Sequence, residues 1–199
     1  MAAPTNYPDP ATEVTPEADP NSLKMMTPED KPIYIKIEEP LCIIIRNIEN
    51  RVLLLKNDSA VFEEMTDGEI CDNAYQTHFI MQRYKDPDRT RLLATISIKT
   101  AEKTYTMSCK DKSVFFKEEA APDTIVDEKD ILFCIESLIG YTTKKHFKSF
   151  LYPQYYLAYE RKNVMDLLIL KYVEIDEDKD KLTVFSTHNC KKFGPKKRP

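Results

Sequence analysis

Glycine is scarce in this chain and tryptophan is missing: the 199 residues contain 3 Gly and no Trp. A dinucleotide fingerprint or a P-loop needs two or three glycines within about eight residues. Gly68, Gly140 and Gly194 stand alone, so nucleotide chemistry of that kind is excluded. No apolar run reaches the roughly eighteen residues of a membrane-spanning helix, which excludes membrane insertion. A secretory signal is also lacking, because MAAPTNYPDPATEV is broken by proline and acid and has no apolar stretch. Synthesis in the cytosol is the expectation. No CxxC pair occurs. The five cysteines, Cys42, Cys71, Cys109, Cys134 and Cys190, form an odd, widely spaced set that fits neither a disulfide framework nor a zinc knuckle. Cys42, Cys109 and Cys134 lie inside apolar runs and are expected to fill core space, with Cys71 and Cys190 nearer the surface. All are expected to be reduced thiols.

What is present is unevenly placed. Seven of the 13 prolines precede Tyr34. Residues 1–33 are acidic, Pro-rich and poor in large apolar side chains. Such a segment cannot bury enough surface to offset its ordering entropy, and it reads as a disordered leader. Formal charge is −4 over residues 1–33, −5 over 34–190 and +5 over 191–199. A mildly acidic body argues against nucleic acid as the main partner. The basic end, KKFGPKKRP, has no core pattern and is expected to be a flexible tail.

Between these ends the pattern is that of an all-β protein. Twelve short β-branched and aromatic runs recur: LCIIIR, VLLLK, AVFEEM, THFIMQRY, LLATISIK, KTYTMSC, SVFFK, ILFCIES, HFKSFLY, YYLAYE, LLILKY and LTVFST. Polar turns such as KNDS, CKDK and DEDKDK separate them. Residues 130–139 and 163–173 could also be drawn as amphipathic helices; both are read as strands. So many strands with tight turns must hide their edges, and a sandwich or closed barrel follows.

No enzymatic chemistry emerges. Asp176, Asp178 and Asp180 have the alternate spacing of a calcium loop, but Lys181 stands where glycine is needed and Thr187 where glutamate is. They read as a solvated turn. His78, His146 and His188 have no fixed-spacing ligand partner, no serine lies in a GxSxG elbow, and no cofactor is implied. The sequon Asn57-Asp58-Ser59 reads as a hairpin turn.

One stretch carries identity. Residues 147–158, FKSFLYPQYYLA, give Phe147-x-Ser149-x-x-x-Pro153-x-x-Tyr156-Leu157-Ala158. This resembles the signature of the interleukin-1 cytokine family, F-x-S-x(3)-P-x(2)-[FY]-L-[SCA]. It reads as two strands joined by a proline turn, with Phe147, Tyr156 and Ala158 facing the core. IIIRNIENRVLLL (43–55), FEEMTD (62–67), RYKD (83–86), ATISIK (94–99), MSCKDKSVFFKE (107–118) and LLILK (167–171) are similar, in the same order, to one branch of that family. The likeness spans about residues 34–187.

The resemblance implies a twelve-stranded β-trefoil over 34–190, preceded by a removable propeptide over 1–33. It implies a proinflammatory cytokine without an active site, monomeric before receptor binding. Such a protein is a cytoplasmic precursor that leaves the cell by an unconventional route after maturation. Its implied partners are a two-chain receptor with immunoglobulin-like ectodomains, a caspase-type processing protease and, as an option, a soluble decoy receptor. By position in the matching motifs, a first receptor surface would use Arg46, Met65 and Asp67, pictured as an exposed cluster. A second would use Lys85 and Asp86. The accessory-chain surface would use Lys112, Lys117 and Asp130. Asn50 and Val164 stand where the family branch has acids, and Glu136 where it has arginine, so the receptor is expected to have drifted as well. Ile33 precedes Tyr34 where an aspartate is expected; the nearest acid, Asp30, is the expected cleavage point. The alternative is an intracellular or nuclear β-trefoil factor, with the basic tail as an import signal.

Overall fold

The computed structural model describes residues 31–174 and 180–192, and the chain divides into two units after Lys31. The second unit, which begins at Pro32, carries every described strand. Among the described residues there are thirteen: β1 (Tyr34–Arg46), β2 (Val52–Lys56), β3 (Ser59–Glu63), β4 (Phe79–Lys85), β5 (Leu93–Lys99), β6 (Thr104–Lys110) and β7 (Ser113–Lys117). After them come β8 (Thr124–Ile125), β9 (Phe133–Ser137), β10 (Lys144–Ser149), β11 (Tyr155–Lys162), β12 (Met165–Tyr172) and β13 (Phe185–Asn189). Twelve match the expected runs, and the two-residue β8 is the addition. Residues 130–139 and 163–173 do hold strands, β9 and β12, although a 3-10 turn at Lys129–Ile131 precedes β9.

Antiparallel pairings close a ring: β1 with β4, β4 with β5, β5 with β9, β9 with β10, β10 with β13, and β13 back to β1. Closure removes the exposed edges that a sheet of this size would otherwise present. Three hairpins, β2–β3, β6–β7 and β11–β12, lie off this ring and continue from β1, β5 and β10. Three repeats of four strands around a six-stranded barrel make a β-trefoil. The barrel is filled from every repeat, by Ile43, Phe79, Ile96, Phe133, Phe147, Leu157 and Phe185 among others.

The turns show how the chain manages without glycine. Lys56 pairs with Ser59 and Lys110 with Ser113, each across a two-residue loop. Asn57, Asp58, Asp111 and Lys112 all have φ between 49° and 61°, the left-handed conformation of a type I′ hairpin turn, where Asn and Asp are tolerated. The sequon is thus a hairpin turn as read. In β1, the three residues between Ile37 and Leu41 oppose one on β4, Gln82, producing a bulge around Pro40, which has no N–H to offer a ladder. The buried Gln82 amide donates to the Ile37 and Glu38 carbonyls at 2.8 and 3.2 Å and so satisfies groups the bulge strands.

Two expectations need correction. In β11, Leu157 and Tyr159 enter the barrel core. Tyr156 and Ala158 are buried on the opposite face, because side chains alternate along a strand. Cys42 and Cys190 are not reduced, and Cys190 is buried: the two form a disulfide with a Cα separation of 5.4 Å. The cause is register. Ile43 pairs with Asn189, so the next positions outward, 42 and 190, face each other across 148 residues of sequence. Cys109 and Cys134 are buried free thiols, as expected, and burial pushes the Cys109 thiol up to about 12.

Candidate binding surfaces

The three motif-derived residues of the first surface converge. β1 ends at Arg46, and α1 (Asp67–Asp72) begins one residue after Thr66, which caps it. Thr66 Oγ1 accepts from the Glu69 N–H at 3.3 Å, and the Glu69 carboxylate accepts from the Thr66 N–H at 2.8 Å. This reciprocal capping box fixes the Met65–Asp67 corner. The Thr66 N–H, together with the Thr66 hydroxyl donating to the same carboxylate at 2.8 Å, holds Glu69 below its ordinary carboxylate value. Arg46 Nη2 lies 3.6 Å from Asp67, whose side chain is 78% exposed. Arg46 itself is not the exposed residue expected. It is buried, and its Nη1 donates to the Asn50 carbonyl at 2.9 Å, closing the turn between β1 and β2. Met65 is half-buried against Ile44, Val52, Ile70 and Cys190. An open cleft of about 400 Å³ is lined by Arg46, Glu49, Asn50, Glu64, Met65 and Glu69, with Thr66 completing it. Three glutamates against one arginine make it acidic.

Beneath this cleft sits a group that the motifs do not mark. Asp166 on β12 has a fully buried side chain and accepts from Arg51 Nη1 at 2.7 Å and Arg161 Nε at 2.9 Å. Glu49 and Glu64 join the same arginines from the rim, Glu49 to Arg161 at 3.1 Å and Glu64 to Arg51 at 3.5 Å. The network ties the turn after β1 to the β11–β12 hairpin. The hydrogen bonds from Arg161, with the pull of Arg51, keep Asp166 below its ordinary value despite burial. No local pattern signals it, since Arg51 and Asp166 are 115 residues apart.

The second surface separates on inspection. Lys85 is exposed at the end of β4. Asp86 is turned inward, its side chain 1% exposed. It accepts from Arg91 Nε and Nη2, both at 3.0 Å, and from the N–H groups of Arg91 and Thr90 at 3.1 and 3.3 Å. Arg91 also stacks 4.6 Å above the Phe150 ring. These bonds, those from Arg91 foremost, hold Asp86 below the usual carboxylate range. Asp86 organises the loop, with its carboxylate turned inward.

The third set divides along one strand. Lys112 and Lys117 flank β7 at opposite ends, roughly 16 Å apart at ~3.3 Å per residue. Lys112 lies over the Tyr155 ring at 5.2 Å. Lys117 pairs with Asp130 at 2.8 Å, and Ser108 donates to the same carboxylate at 2.5 Å. Burial raises Asp130, but the Lys117 ion pair and the Ser108 hydrogen bond outweigh it and leave it lowered. Of the departures, Asn50 adopts φ 65° in its turn, Val164 is exposed at the β11–β12 hairpin, and Glu136 stands 4.0 Å from Lys148. Asp180 caps the 3-10 turn Lys181–Thr183 by accepting from the Leu182 N–H at 2.9 Å. Asp30, Asp176, Asp178 and the tail from 193 lie outside the described residues.

The ring of strands with its three hairpins defines the class of β-trefoil proteins. Comparison narrows this class. The family model Interleukin-1 / 18 matches residues 69–187. Interleukin-18 of Sus scrofa is 41% identical over 174 residues, covering 85% of this chain and 89% of its own. Interleukin-18 of Homo sapiens is 37% identical over 175 residues, with the same coverage. Among solved structures, chicken interleukin 1 beta superposes with a TM-score of 0.57 at 11% identity, covering 77% of this chain and 98% of its own, a likeness of fold. The chain belongs to the interleukin-1/18 family, as a cytokine of interleukin-18 type. It is a signalling protein and not an enzyme.

Proposed function

We propose that the chain acts as a secreted proinflammatory cytokine that binds a primary receptor chain and then recruits an accessory chain, both with immunoglobulin-like ectodomains. The observation that supports this most is the corner at Met65–Asp67. The exposed Asp67 carboxylate follows a corner fixed by the Thr66–Glu69 capping box and faces the buried Arg46, which with Met65 and Thr66 lines an acidic cleft. Such a site is preorganised, and preorganisation saves ordering cost on binding. In this reading Met65 and Asp67 touch the primary receptor and Arg46 fixes Asp67 in place. The acidic cleft calls for a basic receptor patch. Lys85 extends the contact, with Asp86 holding its loop. Lys112 and the Lys117–Asp130 pair meet the accessory chain as two separate contact points.

Maturation enters as a second element. The precursor is cytoplasmic, a caspase-type protease cuts after Asp30, and the product leaves by an unconventional route. Incubating the full chain with an inflammatory caspase and sequencing the new N-terminus checks the cut; Lys31 is the expected start, and any other start overturns it. For the receptor surface, Asp67→Lys is measured against the primary receptor ectodomain by surface plasmon resonance. A central hot-spot residue of this kind is expected to lose at least tenfold in affinity, about 1.4 kcal/mol. Lys112→Glu should leave that affinity intact while reducing accessory-chain recruitment to the preformed binary complex.

A further inference from the structure

The disulfide does not stand alone. One ligand atom each from Cys42, Cys190 and His78 lie within 4.8 Å of one another. They come from β1, from the 3-10 turn that follows β13, and from the residue that ends α2 (Ala74–Thr77). The imidazole has a neighbour at Nδ1, the Thr77 hydroxyl. Thr77 Oγ1 lies 3.0 Å from the carbonyls of both Ile70 and Asn73. Its single hydrogen is donated there. With that hydrogen on a carbonyl, the hydroxyl is an acceptor for His78 Nδ1, 3.1 Å away, an arrangement that favours the tautomer with the ring proton on Nδ1. Nε2 is left with its lone pair. A metal-binding histidine needs that tautomer, with its other nitrogen donating to a neighbouring oxygen.

We propose that, once the disulfide is reduced, Cys42, Cys190 and His78 bind one zinc-class divalent ion, so that this site holds either a disulfide or a metal and never both. Two thiolates and a neutral imidazole are the donors zinc prefers, and water completes the tetrahedron as in sites with three protein ligands. A tetrahedral zinc spaces its ligand atoms about 3.5–4 Å apart, from bonds of about 2.0–2.3 Å, so the cluster needs little rearrangement. Cys42 and His78 are half-buried, which leaves a path for the ion and its water. The conversion balances. Two molecules of a small thiol give two electrons and two protons to the Cys42–Cys190 bond and leave as their own disulfide. The two cysteine thiols then release two protons on binding the ion, and His78 releases none. In either state the first barrel strand stays fastened to the end of the last. None of this depends on the receptor contacts proposed above.

The full chain is reduced with excess small thiol, desalted without oxygen and titrated with Co²⁺ and Zn²⁺ against a chromophoric chelator. One equivalent should bind, with the thiolate-to-cobalt charge-transfer band and intense visible bands of a tetrahedral site. The oxidised chain should bind none. His78→Gln, which can still form the disulfide and whose fold is checked in the oxidised state, should lower affinity roughly tenfold or more and alter the visible bands. Thr77→Val, which removes the outer partner of the imidazole, should lower it about tenfold. Cys71→Ser should change nothing. The proposal is overturned if the reduced chain binds no cobalt, if His78→Gln keeps the original affinity and spectrum, or if Cys71→Ser abolishes binding.

Discussion

Asp67 opens α1 after β3 and Asp86 follows the end of β4, and both follow from the same motif resemblance. Their surroundings are opposite. Asp67 is 78% exposed and faces the single cation of Arg46. Asp86 is sealed in and receives the Arg91 guanidinium and two backbone N–H groups. A carboxylate whose lone pairs are already filled from within holds a loop in shape; one with its oxygens in water can meet a partner. Asp166, beneath the first surface, belongs with Asp86.

If this contrast is right, the inward acids govern stability and the outward acid governs binding. The largest effect is expected at Asp166→Ala, which leaves Arg51 and Arg161 without their buried acceptor. Breaking such a pair costs about 3–5 kcal/mol, read from chemical denaturation. Asp86→Ala should follow at about 2–3 kcal/mol, smaller because one guanidinium, that of Arg91, loses its buried acceptor rather than two. A pH series sharpens the same point. Asp86 and Asp166 are both lowered by their hydrogen bonds, so the unfolded chain binds their protons more readily. They stabilise the fold above the ordinary carboxylate value of about 4 and lose that contribution as pH falls through their folded values. Asp86→Asn should flatten the acid limb of the stability curve; an unchanged limb would contradict the assignment. The smallest stability effect is expected at Asp67→Ala, within about 1 kcal/mol for an exposed ion pair.

Legibility in the sequence follows the same line. The strands were readable because alternation and turn residues are local: ATISIK sets Ala94, Ile96 and Ile98 on one face, and all three enter the barrel core. The opposite face of β5 is covered too, since Leu93 packs with Tyr34, Tyr84 and Ile131, a consequence of closure that one strand cannot announce. The short helix α1 had a signal in Thr66-x-x-Glu69, the capping box. The Cys42–Cys190 bond and the Asp166 network had none, because each joins residues more than 100 positions apart and depends on register. The motif also placed Asp86 without its direction. Spacing locates a side chain along the chain, and only hydrogen-bond accounting shows which way it turns.

The most direct measurement is the affinity of folded Asp67→Ala and Asp86→Ala proteins for the primary receptor ectodomain, each corrected for its folded fraction. The account predicts at least a tenfold loss for Asp67→Ala, about 1.4 kcal/mol, and near-native affinity for the folded Asp86→Ala molecules. Native affinity for Asp67→Ala, or a greater loss from Asp86→Ala, would contradict it.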